Sequence, residues 1–215
     1  MIYELSSRLQ TNDFADISTT RLLVNDLEHD FETARSAGCA LCILSHHALD
    51  EEASIFPEAS RFADRLVREL IEEHHELTRR ELALVQAGHA IVDSPAPGDR
   101  IGAGIALNQS ANELFAVYIT HMNKEETELV PLLRRNMTDA QQVAIRGAVI
   151  GRMPPDRLFA LLGWMLPSLN VTELSGLLAS VRPAMPPAAF MAITNLCSAK
   201  VNPAIWNETK VRVGI

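Results

Sequence analysis

The 215-residue chain is 47% hydrophobic but only 5% aromatic, a composition that argues against a β-sandwich or barrel. Its 27 acids outnumber its 19 bases, giving a formal charge of −8; with no Lys/Arg-rich stripe it would repel a phosphate backbone, and nucleic-acid binding is not expected. No apolar run reaches the roughly 18–20 residues that span a bilayer, and MIYELSSRLQ at the N-terminus lacks the parts of a secretory signal, so a soluble, cytoplasmic protein without membrane contact is expected.

Residues 1–10 form a short amphipathic piece with Ile2, Leu5 and Leu9 on one side, and TNDFADIS (11–18) is a polar break. Leu23, Leu27, Ala34, Leu41, Leu44 and Ala48 then recur at helical spacing, predicting one long helix that ends at Phe56-Pro57. Cys39 and Cys42 fall inside this stretch as CxxC. No second CxxC follows, so they read as small core residues rather than a redox or zinc pair. A third helix runs from about Arg61 to Gln86, with Leu66, Leu70, His74 and Leu77 in line. DSPAPGDR (93–100) is the clearest linker. A fourth helix reaches about Arg135 and carries Leu114, Tyr118, His121, Glu125, Leu129 and Leu132 on one stripe. Four helices with short polar links describe an all-α, up-down four-helix bundle over 1–136.

From residue 137 the pattern is that of a helical C-terminal extension (137–215). Thr138 with Gln141, and Asn170 with Glu173, have capping-box spacing. MPP occurs at 153–155 and again at 185–187, and proline is well suited to a helix's first turn. Trp164 and Trp206 are expected to anchor the extension to the bundle. It contains no histidine, so any metal chemistry belongs to the first 136 residues.

That chemistry centres on SHHALDEE (45–52), where imidazoles and carboxylates meet an apolar helical stripe. Residues four apart share a helix face, so His47 and Glu51 project together. His121 and Glu125 repeat the spacing on the fourth helix, and His74 lies on the stripe of the third. A lone buried histidine is more often a hydrogen-bonded core residue, and Glu51, Glu52, Glu125 and Glu126 could instead form a solvated face. Three helices turning imidazole toward one core outweigh that reading. Nitrogen and carboxylate oxygen suit first-row transition metals, and a pair of ions within a bundle.

HHALDEEASIFP (46–57), EEHHEL (72–77) and HMNKEETELVPLL (121–133) together resemble the bacterial hemerythrin-like (HHE cation-binding) family. GWMLPSLN and the MPP repeats resemble a C-terminal extension found in one bacterial branch. The resemblance implies a non-haem di-iron centre of two iron ions. His47, His74 and His121 would be terminal ligands, with Glu51 and Glu125 as bridges. His46 and Asp50 would turn away, and His75 could replace or accompany His74. Thr78 stands where some members carry a further histidine. The first-helix histidine of the family would fall near Tyr3 and Glu4, either of which could substitute. His29 is an alternative only if a hairpin forms at Ser36-Ala37-Gly38, because on one continuous helix it lies about 27 Å from His47.

The resemblance implies binding of a small diatomic or peroxide ligand (O2, NO or peroxide) as carrier, store or sensor. A di-iron oxidoreductase, with Tyr118 as a polar group beside the metals, and a metal-free scaffold are the alternatives. The extension could govern access to the metals or form a homodimer face.

Overall fold

A computed structural model describes the backbone of residues 2–32, 40–94 and 96–215, and the side chains of 7–25, 46–94, 96–155, 157–183 and 185–215. All regular structure among these residues is helical. The chain divides into two compact units, Met1–Pro154 and Pro155–Ile215. None of the helices is long and apolar enough to cross a membrane among the described residues.

The first unit contains α1 (Ile2–Thr11), α2 (Ile17–Glu32), α3 (Ala40–Ser54), α4 (Phe56–Asp93), α5 (Pro97–Lys124), α6 (Val130–Asn136) and α7 (Asp139–Arg152). α4 and α5 are antiparallel, since Glu73 meets Lys124 and Arg80 meets Glu113. α3 turns into α4 at Ile55, so Glu52 comes to lie beside His74. The long helix expected over residues 19–56 is instead two helices, α2 and α3. Arg100 donates to the carbonyl of Ala15 (2.9 Å), which fixes the start of α2 beside the α4–α5 turn, and Val24 abuts Gly88. α2 therefore runs antiparallel to α4, as α3 does. The two follow one another in one direction, the opposite of the hairpin that would pair His29 with His46. Ser36, Ala37, Gly38 and Cys39, like the side chains of Tyr3, Glu4, His29 and Cys42, lie outside the described residues.

Gly104 permits one close approach in the bundle. A Cβ there would collide with the Phe14 ring, which packs close against the α5 backbone instead. Packing along the bundle is layered. Leu77, Leu84, Ile91, Leu107, Leu114 and Tyr118 belong to one apolar cluster, with Leu9 of α1 joining it. Phe56, Val67, Leu70 and Leu129 form another. Along α4 the order is Leu70, His74, Leu77; along the fourth helix it is Tyr118, His121, Glu125, Leu129. A polar layer is thus held between two apolar ones.

α7 starts at the expected capping box, with Thr138 and Gln141 bonding each other's backbone amides. It packs against α3 and so belongs to the first compact unit, beyond the bundle's end at Asn136.

The second unit holds α8 (Pro155–Met165), α9 (Val171–Val181), α10 (Pro187–Lys200) and α11 (Pro203–Val213). Each MPP delivers its second proline to a helix's first position, at Pro155 and Pro187. Asn170 and Glu173 form the second capping box. Gly214 ends α11 in the left-handed conformation (φ 67°), which glycine adopts without a Cβ penalty. Leu166, Leu174, Leu178, Ile193, Cys197 and Trp206 form the core of this unit. Trp206 is therefore a core residue of the extension itself, where an anchor to the bundle was expected.

Candidate metal centre

Each residue of the polar layer is delivered by a helix whose apolar neighbours fix its direction. His74 lies between Leu70 and Leu77, and its ring stacks on Phe56 at 5.3 Å with 13° between planes. His121 follows the buried Tyr118 by three residues. Glu125 opens a single π-turn, Glu125–Leu129, in which the amide of Val130 bonds back to the carbonyl of Glu125. Pro131 offers no N–H to the carbonyl of Thr127, so the α-helical ladder is interrupted where the backbone widens.

Four residues, His47, Glu51, His121 and Glu125, each bring one ligand atom within 4.8 Å of the others. His74 joins them, its Nε2 lying 3.0 Å from His121 Nε2 and 3.4 Å from Glu51 Oε2. Glu51 reaches His47 Nε2 with its other oxygen (3.2 Å). Glu125 likewise splits its oxygens, Oε1 toward His121 (3.3 Å) and Oε2 toward His47 (3.4 Å). Each carboxylate thus spans from His47 to the His74/His121 pair. His74 and His121 are both 2% exposed, whereas the His47 side chain is 29% exposed.

The outer nitrogens settle the tautomers. His74 Nδ1 lies 2.9 Å from Glu52 Oε1, and His121 Nδ1 lies 2.8 Å from Glu73 Oε2. A carboxylate only accepts, so each Nδ1 must donate, and with a metal ion among them the rings would be neutral with lone pairs on the inward Nε2 atoms. Those lone pairs face each other and the oxygens Glu51 Oε2 and Glu125 Oε1, both buried without a hydrogen-bond donor. Orphaned acceptors of this kind are costly. A cation among them removes the cost, and two nitrogens 3.0 Å apart match adjacent ligands each about 2.1 Å from one first-row ion. The residues fit a metal.

Without metal, protons carry the same load. Burial pushes the Glu51 carboxyl up to about 8, and the nearby Glu125 carboxylate adds to the rise. Burial acts on Glu125 in the same sense, but its polar contacts with His121, His47 and Glu51 outweigh it and hold this carboxyl well below its usual range. The pair therefore keeps one proton, on Glu51. Burial lowers His74; for His121 burial is outweighed by its bonds to Glu125 and Glu73, and the ring is raised. Burial, with Glu51, Glu125 and Glu81 nearby, keeps the Tyr118 hydroxyl protonated.

His75 points outward with 62% of its side chain exposed, so His74 is the inward member of the pair. Thr78 is exposed as well and does not face the layer. Asp50, expected to turn away from the inward pair, is nonetheless buried. Sequence reasoning assigned no role to Glu73, Lys124 and Glu81, and placed Glu52 only on a solvated face. Lys124 Nζ binds Glu73 at 2.7 Å and Glu69 at 3.2 Å, clamping the carboxylate that holds His121. Glu81 is 2% exposed and lies seven residues after His74, a spacing that could have flagged it.

Imidazoles and carboxylates meeting between apolar layers define a helical bundle with a buried His/Glu group that could hold a metal ion. The hemerythrin HHE cation binding domain family matches residues 11–133, and the chain belongs to that family. No curated protein and no solved structure matches the chain.

Proposed function

We propose that His47, Glu51, His74, His121 and Glu125 hold two iron ions and that the centre binds a small diatomic or peroxide ligand. The observation that carries this reading is the pair of orphaned oxygens, Glu51 Oε2 and Glu125 Oε1, facing imidazole lone pairs in a buried layer. Two ions are favoured over one because each carboxylate divides its oxygens between His47 and the His74/His121 pair. Bound iron supplies an electron-accepting centre with positions open to exchangeable ligands. Glu52 and Glu73 orient the rings of His74 and His121, a role such outer carboxylates commonly play. The His47 side has a single imidazole among the described residues and is the most exposed of the five, which favours it as the side where a small ligand enters.

Metal analysis of freshly purified protein tests the reading, together with visible spectra before and after azide. About two irons per chain with an azide-sensitive charge-transfer band are expected. Absence of metal together with unchanged melting of His47→Ala would sink it. Tyr118 favours a second reading, a di-iron oxidoreductase, because its ring lies 6.3 Å from those of both His47 and His121. Peroxide loss that Tyr118→Phe slows without loss of iron would establish that activity.

A further inference from the structure

The C-terminal unit carries a groove of about 690 Å³, within the range of ligand sites. Two cations line it, each held over an aromatic ring. The Arg182 guanidinium lies 5.6 Å from the Phe190 centroid, and Lys210 Nζ lies 5.8 Å from that of Trp206. Arg182 is further fixed by a 3.0 Å bond from Nη1 to the carbonyl of Val213, which leaves its other donors for a ligand. No acidic side chain is among the described residues lining the groove, although acids outnumber bases in the chain, 27 to 19. The site therefore combines two cations, set against the single terminal carboxylate of Ile215, with the aromatic side chain of Phe190 and the flexible thioether of Met191, while the side-chain amide of Asn195 on α10 adds a polar group.

We propose that this groove binds a small organic anion with a flat apolar body, its charged group between Arg182 and Lys210 and its body against Phe190 and Trp206. Charge selects the anion, since two cations face the groove against one carboxylate, that of Ile215. The apolar lining, Phe190, Met185 and Met191 with the small exposed part of Trp206, selects the body, because an inorganic ion gains nothing from it. The inference is independent of the metal centre.

Calorimetric titration of the full chain with naphthalene-2-sulfonate, and with uncharged 2-naphthol as its control, tests it. Expected is saturable 1:1 binding of the sulfonate, weakened by salt, with 2-naphthol at least about tenfold weaker. Arg182→Gln and Lys210→Met should each lower sulfonate affinity about tenfold, with melting of the chain showing that the variants fold. Equal affinity for the two probes, salt-independent binding, or no saturable binding overturns the proposal. If a variant does not fold, the salt dependence and the 2-naphthol comparison on the unaltered chain decide the matter alone.

Discussion

The bundle and the C-terminal unit solve burial in opposite ways. In the bundle, Glu51, His74, Glu81, His121 and Glu125 are all buried, and two of their oxygens have no donor. In the C-terminal unit the core is Leu166, Leu174, Leu178, Ile193, Cys197 and Trp206. Its buried thiol is pushed up to about 11 by desolvation and so stays neutral, and Thr209 is the one buried polar side chain there among the described residues. An apolar core is complete once it closes; a core holding facing acceptors is complete only with a cation or a proton among them. Metal should therefore matter to one unit and not to the other.

The largest expected effect is metal removal. Stripping iron should cost the bundle about 4 kcal/mol where free metal had stood a thousandfold above Kd. His121→Ala should abolish metal-dependent stabilisation altogether. Both tryptophans, Trp164 and Trp206, lie in the C-terminal unit, so their fluorescence reports on that unit and should not respond. Calorimetry with and without chelator, read beside tryptophan fluorescence, checks this; a matching shift in both signals would erase the contrast.

The metal-free bundle should next show an unusual pH dependence. Glu51 titrates near 8 in the folded chain against an ordinary value of 4.5. Its stabilising proton is thus fully present below about 4.5 and lost as pH rises toward 8, with a slope of up to about 1.4 kcal/mol per pH unit. His121, raised above 6.5, adds to the loss at higher pH, while His74, lowered from 6.5, opposes it at the acid end. The contribution of Glu125, whose carboxyl is held low, is present above its ordinary value of 4.5 and is lost progressively as pH falls below it. Metal takes the proton's place, so its affinity should rise over the same window. Melting curves of the metal-free protein across it should fall with pH; a rise would show that Glu51 does not hold the proton.

Leu178→Ala probes the other side of the comparison. Leu178 is fully buried, and the cavity should cost about 3 kcal/mol. Tryptophan fluorescence should register the loss while iron content stays unchanged. A smaller effect is expected from Glu73→Gln, or Lys124→Met, which loosens the clamp on His121. A drop of about 10-fold or more in metal affinity, with little change in metal-free melting, separates ring positioning from general stability.

Much of this contrast is legible in the sequence, and the reasons lie in helix periodicity. His47–Glu51 and His121–Glu125 are four apart on stripes already marked by leucines, and the family resemblance implies ligand roles for them in that order. Local chemistry was equally readable: both capping boxes and both proline starts act within four residues. The outer carboxylates were not legible, because Glu52 bonds a ring on α4 and Glu73 a ring on α5, and neither partner is near in the chain. Their only signal was an acid next to each inward ligand. That α2 and α3 are separate helices was also hidden, since leucine spacing runs on from Leu27 to Leu41. Trp206 was misassigned because an apolar segment does not say which core it enters.

The smallest expected effect tests whether an orphaned polar atom always signals a ligand. Thr209 Oγ1 is buried without a partner, as are the two glutamate oxygens of the bundle. The hydroxyl, however, belongs to an apolar unit with no metal-ligating cluster among its described residues, so nothing there can turn the missing bond to use. Removing it should simply remove a desolvation penalty. Thr209→Val keeps the shape of the side chain and should stabilise the C-terminal unit by about 1 kcal/mol, seen as a later tryptophan-fluorescence transition. Glu125→Gln, the comparable neutralisation in the bundle, should instead lower metal-free melting, since the folded chain favours the Glu125 carboxylate, and should lower iron content as well. If Thr209→Val destabilises, the hydroxyl has a partner in solution, and an orphaned oxygen loses its value as a mark of a metal site.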